Sequence, residues 1–310
     1  MRRLLFIVWI YFCTLNSIAQ EFGVHWVSHP TPNDSSEVLF RHVYLSKKRP
    51  SQATLAFASC GKLKVYVNER NITRDAYFCS ITPADSSHIR MYTYDISRFL
   101  RSDSNVVAVW YAPEAGMPVS KQLSLEYFGT TAEGKPFHHQ ANHEWLCKEI
   151  PGCLVASNQQ AEDGNFGCEH YDGRAYNGEW KSTEREDSSD WQTPLGSRTG
   201  ERILSTYAQS YFPVKTFSPQ RILIPSDVIS NETGIYCDFG RYFRGIVRIT
   251  LRGAKKGEVI SFQGLNYICN GELDEQAALH FTTHYLRGIT VKGDENFKEN
   301  QITHIEALEY

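Results

Sequence analysis

Apolar residues recur at every second position in one segment of this chain after another, and a two-residue period is the pleat of a β-strand. In Lys62 to Asn68, Leu63, Val65 and Val67 face one way, while Lys62, Lys64, Tyr66 and Asn68 face the other. Leu123, Leu125 and Tyr127 repeat the pattern, as do Val247, Ile249 and Leu251 set against Arg248, Thr250 and Arg252. Each predicts a strand with one wet face. Asn105 to Ala112 is a near-continuous apolar run rich in Val, Trp and Tyr, which predicts a central strand covered on both sides. The one helix-like spacing is Leu273, Ala277 and Phe281 within Glu272 to Leu286, flanked by Gly271 and Gly288. It reads as a short excursion between strands.

The first twenty residues carry an export pattern, with Arg2 and Arg3 followed by a mostly apolar stretch from Leu4 to Leu15. Ser17 and Ala19 are the small residues a signal peptidase selects, so cleavage is expected after Ala19 and the protein is expected to be secreted, periplasmic or at a bacterial cell surface. The apolar stretch is shorter than the ~20 residues of a bilayer span. A lipoprotein reading would acylate Cys13, but Tyr11 and Phe12 are bulky where small residues belong.

About 290 residues follow, room for two ordinary domains. Pro, Gly, Ser and charged residues cluster from Thr183 to Gly200, which places a boundary near 195/196. The expected layout is a leader at 1–19, a β-sandwich at 20–195 and a second β-sandwich at 196–310, an all-β fold. A formal net charge of -3 offers no basic field to a phosphate backbone, so nucleic acid is not an expected partner.

Seven cysteines lie beyond the leader, at 60, 79, 147, 153, 168, 237 and 269. An odd number leaves at least one unpaired or joined to another chain. Cys147 and Cys153 are the favoured pair because Pro151 and Gly152 could turn the chain between them. Closing so short a loop stabilises by about 2.4 kcal/mol. Buried thiols acting as small hydrophobes are an equal alternative for the rest.

Several stretches carry a resemblance. Phe40-Arg41-His42-Val43-Tyr44-Leu45, Lys64-Val65-Tyr66-Val67-Asn68, Tyr94-Asp95-Ile96-Ser97-Arg98-Phe99-Leu100 and Asn105-Val106-Val107-Ala108-Val109 resemble the amino-terminal jelly-roll domain of bacterial α-L-rhamnosidases. Glu169-His170-Tyr171-Asp172-Gly173-Arg174 is similar to that family's Gly-Glu-x-Tyr-Asp-x-Arg signature, with Cys168 in place of the glycine and Trp180 near where a tryptophan often follows. Gly234-Ile235-Tyr236-Cys237-Asp238-Phe239-Gly240, running on to Gly245-Ile246-Val247-Arg248, resembles the family's concanavalin-like sandwich. Family members usually carry asparagine where Tyr242 stands and an aromatic where Ile246 stands.

The resemblance implies the non-catalytic sandwiches of such an enzyme. In the family a helical barrel with the catalytic carboxylates comes next, so no residue of this chain inherits a catalytic role. It implies carbohydrate, a rhamnose-containing glycan, as the partner. Glu169, His170, Asp172, Arg174 and Trp180 are the candidate sugar-binding residues. The only cofactor it suggests is Ca²⁺, for which Asp163 and Asn165 could add oxygen ligands. A plain Asp172–Arg174 or Glu169–Arg174 pair pinning a loop accounts for the same residues.

Trp145, Trp180 and Trp191 are candidate stacking platforms or core residues. His138, His139, His143, Glu144 and Cys147 have metal-ligand chemistry but no metal-site spacing, and an ordinary polar loop is expected there. Three functional readings stay open: a secreted glycan-binding accessory protein, one piece of a two-piece rhamnosidase that docks a separate glycosidase subunit, or an independent enzyme with a site in a sandwich.

Overall fold

A computed structural model describes residues 25–31, 36–59, 61–73, 91–113, 122–155, 168–175, 178–183, 190–197 and 219–310. The expected leader with Ala19, the cysteines at 60 and 79, and the proposed calcium ligands Asp163 and Asn165 lie outside the described residues.

The described chain is built from strands, with only short 3-10 turns between them. The first half contributes β1 (Trp26–Ser28), β2 (Ser36–Leu45), β3 (Gln52–Ser59), β4 (Gly61–Val67), β5 (Arg70–Asn71), β6 (Met91–Asp95), β7 (Ser104–Pro113), β8 (Gln122–Thr130), β9 (Pro136–Gln140), β10 (Leu146–Val155), β11 (Cys168–Asp172) and β12 (Leu195–Ser197). The second contributes β13 (Arg221–Leu223), β14 (Asp227–Asn231), β15 (Gly234–Arg252), β16 (Val259–Phe262), β17 (Leu265–Ile268), β18 (Asp274–Ala278), β19 (His284–Gly293) and β20 (Ile302–Glu309).

One sheet runs β12-β1-β8-β3-β6, with β9 on the flank of β8. The other runs β13-β20-β15-β19-β16-β17-β11-β10-β2-β7-β4-β5. The two face each other across the first half, with Phe40, Val65, Val109 and Tyr111 meeting Leu55, Phe57, Leu123 and Leu125 in a shared core. The alternation in β4 and the double burial of β7 are as the sequence predicts: Leu63, Val65 and Val67 point into this core, and Asn105 to Ala112 is buried throughout. In β8 the expected wet face is absent, because Ser124 and Glu126 are buried as well. Strand β9 pairs with β8 from Glu126 onward, and Glu126 Oε2 meets His138 Nε2 at 2.8 Å.

In the second half, β15 serves two sets of partners. Its first part pairs β14 and β19, and its last part pairs β18 and β20. Cys237, Val247, Ile249, Leu251, Ile260 and Val291 form the core between. The halves are joined by β11, which pairs antiparallel with β10 and parallel with β17. The large sheet therefore passes without a break across the boundary expected near 195/196.

Two local expectations are corrected. The stretch 272–286 is not helical: Leu273 is exposed, Ala277 lies in β18 opposite Ile249, and Phe281 packs on the first half. Its i, i+4 spacing coincides with a strand and a loop that face different partners. The Cys147–Cys153 disulfide does not form either, and Cys147 is a buried free thiol. Both cysteines lie on β10, opposite Phe40 and Ser36, with Pro151 and Gly152 in a bulge rather than a turn. Four residues of strand separate those partners by about 13 Å, against the roughly 5.5 Å that a disulfide requires. Burial pushes the Cys147 thiol up to about 12, so it stays protonated.

Candidate functional site

The pleat of β11 divides the signature residues between two faces. Glu169 and Tyr171 turn inward, whereas Cys168 and His170 are exposed. Both oxygens of Glu169 are used. Oε1 accepts from the Phe281 amide (2.8 Å), the Thr282 amide (2.7 Å) and the Thr282 hydroxyl (2.7 Å), and Oε2 accepts from the His280 amide (2.7 Å). Glu169 thus fastens the loop after β18 to the first half. Tyr171 stacks on Tyr267 at 5.4 Å and lies against Trp110.

On the other face Asp172 holds Arg174 with two contacts, Arg174 Nε to Oδ1 at 2.9 Å and Nη2 to Oδ2 at 2.7 Å. The guanidinium keeps the Asp172 carboxyl below the usual range. Gly173 between them admits no side chain, since a Cβ would lie 2.8 Å from the Ile268 carbonyl. Trp180 is buried edge-on against Tyr66, with Lys181 over its ring, and offers no open face for stacking. The five candidates therefore do not converge: Glu169 and Trp180 are interior, and His170, Asp172 and Arg174 are outside. Neither carboxylate suits Ca²⁺, because Glu169 is spent on four donors and Asp172 on a guanidinium. Among the described residues, no group of three or more His, Cys, Asp or Glu side chains is placed to hold a metal ion.

The other candidates are also absorbed by the fold. Trp145 is in the first core, and Trp191 is half-buried with Arg41 at 5.9 Å from its ring. The histidine stretch is divided: His143 and Glu144 lie in a turn, as expected, whereas His138 and His139 lie on edge strand β9 and Cys147 on β10. His138 meets Glu126, while His139 packs with Tyr44, Tyr127 and Phe137.

Sequence reading missed a polar seam where the two halves meet. Trp110 on β7 donates its indole N–H to Glu37 Oε2 at 2.6 Å. Glu37 is buried, and desolvation, reinforced by the negative charge of Glu169, raises its pKa to about 8. Alongside, Lys64 Nζ lies 3.0 Å from His280 Nδ1, and Lys62 donates to the Phe281 carbonyl at 2.7 Å. Burial, then the positive charges of Lys64 and Lys181, hold His280 well below its ordinary value. A tryptophan in a doubly covered strand needs an acceptor, and that requirement was the available signal.

An exposed aromatic surface was also missed. The pairing of β15 with β19 shifts register between Asp238 and Phe243, where Gly240 adopts φ +77°. Such bulges re-aim side chains. Here Tyr242 turns outward, 61% exposed, beside Tyr285 at 47%. Their rings stack with centroids 5.5 Å apart and an interplanar angle of 16°. Next to them Arg287 Nε donates to Asp238 Oδ1 at 3.0 Å, and that guanidinium holds the Asp238 carboxyl below its usual range. Flat rings with an exposed face beside a charged hydrogen-bonding pair can take a ligand that is apolar on one side and hydroxylated at its rim. The departure from the family's asparagine at Tyr242 was the sequence signal for it.

The family model for the α-L-rhamnosidase N-terminal domain matches residues 48–216. A comparison with curated protein sequences gave no match. Among solved structures, the α-L-rhamnosidase of Dictyoglumus thermophilum is similar at 16% identity and a TM-score of 0.70, over 93% of this chain and 35% of that one. The Streptomyces avermitilis α-L-rhamnosidase, solved in complex with L-rhamnose, is similar at 20% identity and a TM-score of 0.70, over 90% of this chain and 29% of that one. The enzyme of Aspergillus terreus is similar at 15% identity and a TM-score of 0.69, over 92% and 36%. The chain spans about a third of the length of these structures, and the shared part is the β-sandwich fold. With more than half its residues matched by the model, the chain belongs to the α-L-rhamnosidase N-terminal domain family.

Proposed function

We propose that this chain is an exported carbohydrate-binding accessory protein that handles rhamnose-containing glycans by contact rather than by bond cleavage. The observation that carries the reading is the stacked, exposed Tyr242–Tyr285 pair beside the Arg287–Asp238 ion pair. The C–H face of a pyranose lies on the tyrosine rings, and its hydroxyls reach the guanidinium and carboxylate. The candidate carboxylates Glu169 and Asp172 are committed to a loop and to an arginine, which favours binding over acid–base work. Export agrees with a polymer met outside the cytoplasm, and the Streptomyces relative holds L-rhamnose in its crystal.

Calorimetric titration with L-rhamnose, rhamnose-containing oligosaccharides and unrelated glycans tests the reading. Binding of the rhamnosylated ligands is expected, and Tyr242→Ala or Tyr285→Ala should weaken it about tenfold, the loss of one stacking contact. No heat from any glycan at millimolar concentration removes the proposal.

A second reading, in which the chain docks a separate glycosidase subunit, is favoured by one observation. Ile222 on β13 and Ile224 just after it are exposed, beside the end of β20. Affinity capture from the native cells should then return a rhamnoside-cleaving partner, and Ile222→Ser with Ile224→Ser should lose it. A sample recovering no such partner would leave the binder reading alone.

A further inference from the structure

The end of the first sandwich carries a cleft that neither the aromatic platform nor the polar seam uses. It is about 630 Å³ in volume and is lined by Asn68, Arg70, Arg98, Phe99, Leu100 and Arg101. That volume falls within the range of small-molecule sites. Three of its six lining residues are arginines, on a chain whose formal net charge is -3.

The cleft is held in shape by a buried network. The β4–β5 hairpin turns through Asn68 and Glu69, both with left-handed φ, at 48° and 71°. Asn68 Nδ2 donates to the Phe99 carbonyl and to Asn105 Oδ1, each at 2.8 Å, and its Oδ1 accepts from the Val106 amide at 2.9 Å. Asn105 closes the other side, accepting from the Arg101 amide at 2.7 Å and donating to the Arg101 carbonyl at 3.1 Å. The hairpin and the 97–101 turn are thereby fixed to each other and to β7. Arg49 adds a further tie, donating to the Ser97 carbonyl at 2.7 Å.

The acidic groups nearby pair only loosely with the arginines. Glu69 reaches Arg101 only at 3.8 Å, with both side chains about half exposed. Asp95 feels the charge of Arg98, but its Oδ1 accepts from the Ser97 amide at 2.9 Å. Arg98 lies over the Phe99 ring at 4.6 Å, which orients the guanidinium without discharging it. A guanidinium presents a planar fork of N–H donors that matches an oxyanion, and several around one rigid cleft select for negative charge.

We infer that this cleft binds the carboxylate of an acidic sugar, so that the glycan engaged by the protein carries uronic-acid residues as well as neutral ones. The inference rests on the carbohydrate reading for the choice of sugar, whereas the oxyanion chemistry rests on the arginines alone. Sulfate esters and free phosphate share that chemistry, and the test separates them.

The full chain is titrated with oligogalacturonate, its methyl-esterified form, a sulfated oligosaccharide and inorganic phosphate. Oligogalacturonate should bind, esterification should abolish the binding, and raising salt from about 50 mM to about 500 mM should weaken it severalfold. Arg98→Gln or Arg101→Gln should each weaken it about tenfold, with an unchanged melting temperature, since both side chains are exposed. Tyr242→Ala should leave it intact. Equal binding of the esterified form, or tighter binding of phosphate or of the sulfated sugar, overturns the inference. So does oligogalacturonate binding that is indifferent to both arginine substitutions. If neutral rhamnosides bind through the tyrosines while uronates bind no better, the inference fails and the proposed function stands. If uronates bind through the arginines while neutral rhamnosides do not bind, the cleft stands and the rhamnoside platform falls.

Discussion

Glu169→Ala will lower the free energy of unfolding by about 4 kcal/mol and release the loop after β18. One carboxylate serves three amides and a hydroxyl from His280, Phe281 and Thr282, and both Glu169 and Thr282 are buried. A buried donor left without its acceptor costs about 1 to 3 kcal/mol. Four are orphaned together, and half-buried His280 regains water most readily. Glu169→Gln should cost less, since one amide oxygen still accepts while the new –NH₂ meets amides that are themselves donors. Urea unfolding should move to a lower midpoint with an unchanged slope, and exchange protection of the 280–282 amides should disappear. A loss under about 1 kcal/mol with protection retained would show that the loop is held by something else.

The second large effect is in pH. Glu37 titrates near 8 in the folded protein because burial and Glu169 disfavour its charge. The unfolded chain loses this proton near 4.5, so between about pH 4.5 and 8 the native state holds one more proton than the unfolded one. Stability must fall across that window by about 1.4 kcal/mol per pH unit from this group. His280 opposes it at the acid end: its depressed pKa makes the unfolded state take up a proton below about 6.5, which lowers stability as pH falls. Wild type should therefore be nearly level from about pH 5 to 6.5 and then decline by about 2 kcal/mol towards pH 8. Glu37→Gln keeps an acceptor for the Trp110 indole and removes the charge. Its advantage over wild type should grow from nothing near pH 4.5 to about 4 kcal/mol near pH 8. Parallel stability curves for the two proteins, measured by urea titration at several pH values, would refute the assignment.

What could be read from the sequence was what depends on neighbours along the chain. The pleat of β4, the double burial of β7 and the alternation of β15 follow from period alone. Residues whose role depends on distant partners are not legible in this way, although the local Asp172–Arg174 pair is. Glu169, Asp172 and Arg174 look like one cluster because they are adjacent in sequence, yet a strand sends alternate side chains to opposite faces. Trp180 gave no hint that Tyr66 and Lys181 would cover it. Leu273, Ala277 and Phe281 kept helical spacing by coincidence, because Glu169, more than a hundred residues upstream, fixes the loop that holds Phe281. Glu37 sits in an apolar strand with nothing nearby to mark it, and its partner Trp110 lies 73 residues further on. Pro151-Gly152 suggests a turn that would bring Cys147 and Cys153 together, but the dipeptide serves a bulge as readily as a turn.

Strand β11 has a consequence for how such proteins can be rearranged. It comes from the first sandwich and fills the place between β10 and β17, so each half completes the other's hydrogen bonding. A gene fusion that carried off only the later sandwich would bare the flank of β17, a ready template for promiscuous strand addition. Grafting the two sandwiches together is therefore expected to yield soluble protein where grafting the later one alone does not.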